Sequence, residues 1–391
     1  MLEEDTTDGD ETTDPTASEE EEEEEPEDTT EGGVTPIRSP PEVIKQLKPD
    51  PEDDLLRRDV KQNGNLDWIE EAFDAEYEQP KLTPALAVFI RKGYDKLGRK
   101  LGQELMGDGL SMAAKTISGL SHAFVKLDLS GKAITEIRLL RNFCNLRYVC
   151  LAGNHIFDIA PLNELQFLMT LDVSDNYLDS LEDFQVHNHL KTLNVSKNFL
   201  KDLKGVIEHP YLQRLYLSYN KLSIFTTNSS SKYLRELETL ELRKNRLTSF
   251  GEPGLKLPAL KYLFLAQNHI EALPFLKSTR SLEFLDLRRN KLKVTGDWAT
   301  LALKYLNISF NYIEEVAELE KMAASLPQLE VLVATNNPLM ADERAQTLLV
   351  VAFKTLTRFN AVNVTKELRV DAVAELAEDG DGNEASVDEI M

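Results

Sequence analysis

Cysteine is almost missing from this chain: there are two in 391 residues, Cys144 and Cys150. Two thiols so close together cannot staple both ends of an elongated fold. That sets the sequence apart from disulfide-capped secreted proteins and points to reduced thiols in a reducing compartment. Long apolar runs are missing too; none approaches the ~20 residues a membrane helix needs. The opening MLEEDTTDGD has neither the basic nor the apolar part of a secretory leader. The sequons at Asn194, Asn228, Asn307 and Asn363 are therefore read as chance. Basic excess is lacking as well. The net charge is −23, yet residues 1–33 hold 17 acids and no Lys or Arg, and residues 374–391 hold 7 acids and no base. Removing those 24 acids leaves the body near +1. A neutral body argues against nucleic acid as the main partner.

Chemistry-bearing motifs are equally scarce. GYDKLGRK, residues 93–100, lacks the GK[ST] of a phosphate loop and a preceding strand. Asp379, Asp381 and Asn383 begin like a calcium loop, but Glu384 and Ile390 stand where Gly and Glu are needed. The six histidines form no HxxxH or Cys/His cluster. Asp172, Asn194 and Ser196 share a face without a base–nucleophile pair. The expectation is a non-enzyme with no metal, no cofactor and no small-molecule substrate.

What is present is a period. LRYVCLAGNHI, LMTLDVSDNYL, LKTLNVSKNFL, LQRLYLSYNKL, LETLELRKNRL, LKYLFLAQNHI, LEFLDLRRNKL and LKYLNISFNYI follow one another. Their asparagines, with one more unit, are Asn154, Asn176, Asn198, Asn220, Asn245, Asn268, Asn290, Asn311 and Asn337, at intervals of 21 to 26 residues. L-x-x-L-x-L-x-x-N-x-L at this spacing marks a leucine-rich repeat. An earlier unit, FVKLDLSGKAI, has Lys132 in the Asn place, so its turn should be looser. The expected fold is an α/β solenoid, a horseshoe with a curved parallel sheet on its concave face, a helical N-terminal segment and a C-terminal cap. Strand alternation sends the leucines to a shared core and the x residues to the inner wall. The asparagine amides would form a ladder that satisfies buried backbone groups of adjacent turns. Ile156, Ile159, Leu162, Leu165 and Leu168 recur about every third residue, which suits short 3₁₀ segments on the outside.

The rest of the chain divides by composition. Residues 1–35 read as an acidic disordered tail and 36–81 as a Pro-rich linker. The linker holds one amphipathic stretch around residues 66–77, with Trp68, Ile69 and Phe73; a plain linker and a docking peptide both fit it. Residues 82–120 read as a broken helical segment covering the open end, 121–340 as the repeats, 341–373 as the cap and 374–391 as a second acidic tail. Two longer units should bulge, one at 226–232 and one as a true helix near 318–326. The cap's apolar positions are Leu348, Val351, Phe353, Leu356 and Phe359. The tails suit either solubilisation or contact with a basic partner.

The inner wall has two rows. One runs Tyr148, Thr170, Thr192, Arg214, Thr239, Tyr262, Phe284, Tyr305, and the other Cys150, Asp172, Asn194, Tyr216, Glu241, Phe264, Asp286, Asn307. Tyr262, Phe284 and Tyr305 fall side by side, with Phe264 and Phe310 beside them and Arg243, Arg288 and Arg289 near. Exposed aromatics with arginine have the composition of a binding hot spot. The expected partner-binding set is Tyr148, Tyr216, Arg243, Tyr262, Phe264, Phe284, Arg288, Arg289, Tyr305 and Phe310. Stacking of these rings across strands, or packing on a flanking segment, is the competing reading.

The 22-residue units with I-x-x-I/L-x-x-L spacing resemble the SDS22-like subclass of leucine-rich repeats. NNPL…TRFNAVNVTKELRVDA resembles its cap, with Ala345-Gln346 and Phe359-Asn360 departing from the usual Tyr-Arg and Leu-Asp. Gly109 to Ile156, GLSMAAKTISGLSHAFVKLDLSGKAITEIRLLRNFCNLRYVCLAGNHI, is similar to the start of the leucine-rich-repeat family of the ciliary radial spoke, placed at the head of the third spoke. The likeness covers roughly residues 82–372, and its specific part is the non-repeat segment 109–127. It implies a cytoplasmic, cytoskeletal scaffold of the cilium or flagellum axoneme, bound to spoke-head and other axonemal proteins and to neither nucleic acid nor membrane. Two other families carry similar repeats: regulatory subunits of a serine/threonine phosphatase, and acidic chaperones of basic nuclear proteins.

Overall fold

A computed structural model describes residues 99–378, apart from 117–118, 226–233, 251–254, 274–275, 277–278, 295–297 and 299–301. The chain divides into two units, residues 1–77 and 78–391, and everything described lies in the second. The expectations for the first tail, the linker with its 66–77 stretch, residues 82–98, the bulge at 226–232 and residues 379–391 lie outside the described residues.

Each repeat contributes a three-residue strand. These are β5 (Tyr148–Cys150), β6 (Thr170–Asp172), β7 (Thr192–Asn194), β8 (Arg214–Tyr216), β10 (Thr239–Glu241), β12 (Tyr262–Phe264), β13 (Phe284–Asp286), β14 (Tyr305–Asn307) and β15 (Val331–Val333). They join β3 (His122–Asp128) and β16 (Arg358–Phe359) in one parallel run, each turn in register with the next. Short pairs, β1 (Arg99–Lys100) with β4 (Ile134–Glu136) and β9 (Ile224–Phe225) with β11 (Ser249–Phe250), add small parallel ladders outside it. The fold is a leucine-rich-repeat horseshoe.

The leucines explain the stacking. Leu171, Leu193, Leu215, Leu240, Leu263, Leu285 and Leu306 are fully buried in one continuous core. No single turn buries its own face, so stability accumulates along the stack. The outer returns are tight: Arg138–Asn142 and Ala160–Glu164 are 3₁₀ turns, and Ile156, Ile159, Leu162, Leu165 and Leu168 are all buried. One longer return is a true helix, α2 (Val316–Ser325), which sets Leu319 and Met322 into the core.

The asparagines make a repeating bridge. Asn198 donates its amide to Val173 O of the preceding turn and to Val195 O of its own, at 3.0 and 3.1 Å. Its Oδ1 accepts the Leu178 N–H at 3.0 Å. Asn176, Asn220, Asn245, Asn268, Asn290 and Asn311 repeat this pattern, each with 4 % to 6 % exposure. In the first turn the Lys132 N–H still has a partner, Asn154 Oδ1 at 3.1 Å.

Both ends of the sheet depart from expectation. Among the described residues, 99–120 is not a broken helix: only α1 (Gln103–Gly109) is helical, and β2 (Leu110–Lys115) pairs antiparallel with β3. An open sheet edge leaves unpaired backbone groups, and the hairpin moves that edge outward. Gly109 is obligatory, because a Cβ there would lie 2.6 Å from Asp128 O and 2.7 Å from Leu129. Leu101 and Met106 cover the first turn, so this end is closed by a strand and one short helix.

At the other end, α3 (Glu343–Ala352) and β16 are followed by β17 (Val362–Asn363), antiparallel to β16, and by α4 (Lys366–Glu378). Of the cap's expected apolar positions, Phe353, Leu356 and Phe359 are buried in the core, whereas Leu348 and Val351 are half-buried and Leu349 and Val350 fill the core between them. Asp342 caps the start of α3 through the Arg344 N–H. Arg369 caps its end, donating to Val350 O, Phe353 O and Leu356 O at 2.6 to 3.0 Å. α4 runs to Glu378, past the expected end of the cap at 373.

Candidate protein-binding face

The inner wall is built by alternation alone. Tyr148, Thr170, Thr192, Arg214, Thr239, Tyr262, Phe284 and Tyr305 are successive register partners, as are the residues from Cys150 to Asn307. In β5 to β8 and β10 both wall residues are half-buried around a buried leucine or valine. Here the side chains are short or polar. Asp172 Oδ1 accepts the Ser174 N–H and hydroxyl, and Asn194 Nδ2 donates to Asp172 Oδ2 at 3.1 Å. A shallow trough of about 510 Å³ lies beside them, lined by Ser130, Gly131, Ala152, Gly153, Ser174, Asp175, Asn194, Ser196 and Lys197. Its lining holds no histidine or cysteine, and the Ser174 hydroxyl donates to Asp172 Oδ1 at 2.6 Å.

Across β12 to β14 the wall changes character. Phe284 and Tyr305 stack at 4.2 Å with planes 3° apart, Phe264 lies 4.8 Å from Phe284, and Tyr262 lies 6.4 Å from it. Strands about 4.8 Å apart put neighbouring rings at stacking distance. Arg243 lies over Phe264 at 4.3 Å, its Nε 3.9 Å from Asp286 Oδ2. Burial pushes the Asp286 carboxyl up, while Arg243 and Arg288 pull it back toward the ionised form.

This corrects the expectation of an exposed hot spot. Phe264, Phe284, Tyr305, Arg243 and Arg288 are buried, at 4 % to 9 % exposure. Tyr148, Tyr216 and Tyr262 are half-buried, and of the ten expected residues Arg289 and Phe310 are exposed. Those two pair separately, with the guanidinium 4.8 Å from the ring centre. The repeat pattern fixes which wall a side chain faces; it does not say that large rings on adjacent strands close over one another.

A third row runs beyond the wall, and of its members the motif reading named Arg289 and Phe310 alone. The residue before each ladder asparagine is left-handed: Gly153, Asp175, Lys197, Tyr219, Lys244, Gln267, Arg289, Phe310 and Asn336 have φ between 48° and 65°. They stand beyond the strand ends. Their signal was the fixed offset from the asparagine.

Comparison with known proteins agrees with this geometry. A family model described as "Leucine rich repeat" matches residues 235–292. The chain is 33 % identical over 240 residues to leucine-rich repeat-containing protein 23 of Bos taurus, covering 61 % of this chain and 68 % of that protein. It is 37 % identical over 249 residues to the Mus musculus protein of that name, covering 62 % and 69 %. The chain belongs to the leucine-rich repeat-containing protein 23 family. Among solved structures, an internalin (inlF) from Listeria monocytogenes matches with a TM-score of 0.50 at 25 % identity, over 68 % of this chain and 75 % of that one. Its likeness reports the solenoid. Among the described residues no group of three His, Cys, Asp or Glu is placed to hold a metal, and no helix is long and apolar enough to cross a membrane.

Proposed function

We propose that this protein is a non-catalytic, protein-binding scaffold of the axonemal radial spoke, located in the cilium or flagellum. One observation carries the scaffold reading: a single continuous inner sheet whose wall residues from β5 to β10 stay half-open and carry no catalytic pairing. Half-buried Tyr148 and Tyr216 offer rigid contact area there, of the type that dominates interfaces. The axonemal reading rests on the resemblance carried by segment 109–127, which runs from before the repeats into the first repeat strand and forms much of the N-terminal hairpin. Membership of the leucine-rich repeat-containing protein 23 family is consistent with the coarser reading, a non-catalytic protein-binding scaffold.

Fractionation of demembranated flagella tests the reading. Retention of the protein in the axoneme through a high-salt wash, with crosslinks to spoke-head proteins, is the expected result. Stoichiometric co-purification with a serine/threonine phosphatase, or confinement to nuclei, overturns it.

A further inference from the structure

The body is close to neutral, but the fold sorts its charges. On either side of the ladder asparagines, from Asn198 to Asn311, lie two rows. The first is Lys197, Tyr219, Lys244, Gln267, Arg289, Phe310; the second is Phe199, Lys221, Arg246, His269, Lys291, Tyr312. The twelve positions hold six Lys or Arg, four aromatics and no acid. The turns are bonded one to the next along both rows. In the first, Tyr219 N–H donates to Arg243 O, Lys244 N–H to Ala266 O and Arg289 N–H to Ser309 O; in the second, Arg246 N–H donates to Leu222 O and Lys291 N–H to Ile270 O. The stripe is therefore continuous along one edge of the solenoid. The row three residues past each asparagine is mixed, with Lys201 and Lys293 against Glu271 and Glu314.

The cations are held in place by the rings. Lys221 lies over Phe199 at 4.4 Å, Lys244 over Tyr219 at 4.9 Å, and Arg289 over Phe310 at 4.8 Å. Such contacts are favourable for a cation, and they fix long side chains that otherwise lose entropy on binding. Burial first, and then Arg246 and Lys201, hold the Lys221 ammonium below its ordinary range against the opposing pull of Asp179.

We infer that this edge is the docking surface for an extended acidic peptide segment of a partner protein. The inference deepens the scaffold reading and rests on it. Charge complementarity selects the occupant. Six turns at about 4.8 Å span about 24 Å, the reach of roughly seven extended residues. Single-stranded nucleic acid uses free ring faces for base stacking, and of the stripe's four aromatics only Phe310 and Tyr312, at its far end, are exposed. Here Phe199 is held between Tyr177, stacked at 6.0 Å, and Lys221. Tyr219 is held between Lys197 and Lys244.

Fluorescence anisotropy of a labelled decaglutamate peptide with the full chain tests this. The wild type is expected to bind, with affinity falling as salt rises. The triple variant Lys221→Gln, Lys244→Gln, Arg289→Gln is expected to lose about tenfold or more, as for several charge contacts removed together. Lys221→Arg with Lys244→Arg keeps the cations and should bind like wild type. Circular dichroism melting checks that each variant is folded; if the triple variant does not fold, the same comparison is made with Lys244→Gln alone. Equal binding by wild type and the Gln variants, or no binding by either, overturns the inference. So does a thymidine oligonucleotide that binds the wild type more tightly than the peptide does. Loss of the wild-type protein from axonemes would overturn the spoke assignment and leave the peptide result unaffected.

Discussion

The inner wall has two halves that share a backbone and differ in what stands on it. From β5 to β10 the wall carries Thr170, Thr192, Arg214 and Thr239 with Asp172 and Asn194, half-buried throughout. From β12 to β14 it carries Phe264, Phe284, Tyr305 and Asp286, all buried, with Asp286 facing the buried Arg243 from the turn after β10 and Tyr262 half-buried beside them. The repeat dictates the stacking of both. Side-chain volume decides the rest: a threonine cannot reach across the ~4.8 Å gap between strands to cover its neighbour, and a phenylalanine can. The first half is a surface; the second is an extension of the core onto the inner wall.

The largest expected effect tests that contrast directly. Phe284→Ala removes the middle of the ring row and should cost about 3–5 kcal/mol, as for a buried aromatic in a core. Asp286→Ala strips a buried carboxylate from Arg243 and Arg288 and should cost about 3 kcal/mol. Denaturant midpoints read both. Asp172→Ala, the same row in the open half, should cost about 1 kcal/mol, the price of its hydrogen bonds to Ser174 and Asn194. Equal losses at Asp286 and Asp172 would erase the distinction.

Acid should reach the open half first. His209 lies buried on the outer side between β7 and β8; its Nδ1 accepts the His187 N–H at 3.1 Å, and its Nε2 lies 3.1 Å from Gly205 O. Burial, with His187 beside it, depresses His209 to about 4 from an ordinary 6.5, and burial lowers His187 too. The folded state therefore binds fewer protons than the unfolded chain between these values. Stability is full above about pH 6.5 and falls, by about 2–3 kcal/mol for His209 alone, as pH drops toward 4. Melting temperature followed from pH 7 to 4.5 should show this decline, and His209→Gln should flatten it. The smallest effect belongs to Thr192→Ala, within about 0.5 kcal/mol in a denaturant titration.

Much of this was legible in the sequence. The period gave the turns, the register and the ladder, because each depends on backbone geometry and one residue type. The N-terminal hairpin was not: residues 82–120 read as a broken helical segment, and LSMAAK instead closes the edge of β3 as a strand. The exposure of the wall was also misread. Rows can be assigned from alternation, but whether Phe284 is bare depends on Phe264 and Tyr305, which lie 20 or more residues away. The same holds for the cationic edge. Lys197, Lys221, Lys244, Arg246, Arg289 and Lys291 are scattered in a near-neutral stretch, and only stacking lines them up.

Hydroxyl-radical footprinting of the full chain, read residue by residue by mass spectrometry, probes the two-part wall most directly. Phe264, Phe284 and Tyr305 should be protected, Tyr148 and Tyr216 partly labelled, and Phe310 and Tyr312 strongly labelled. Labelling of Phe284 and Tyr305 as heavy as that of Phe310 would contradict the account.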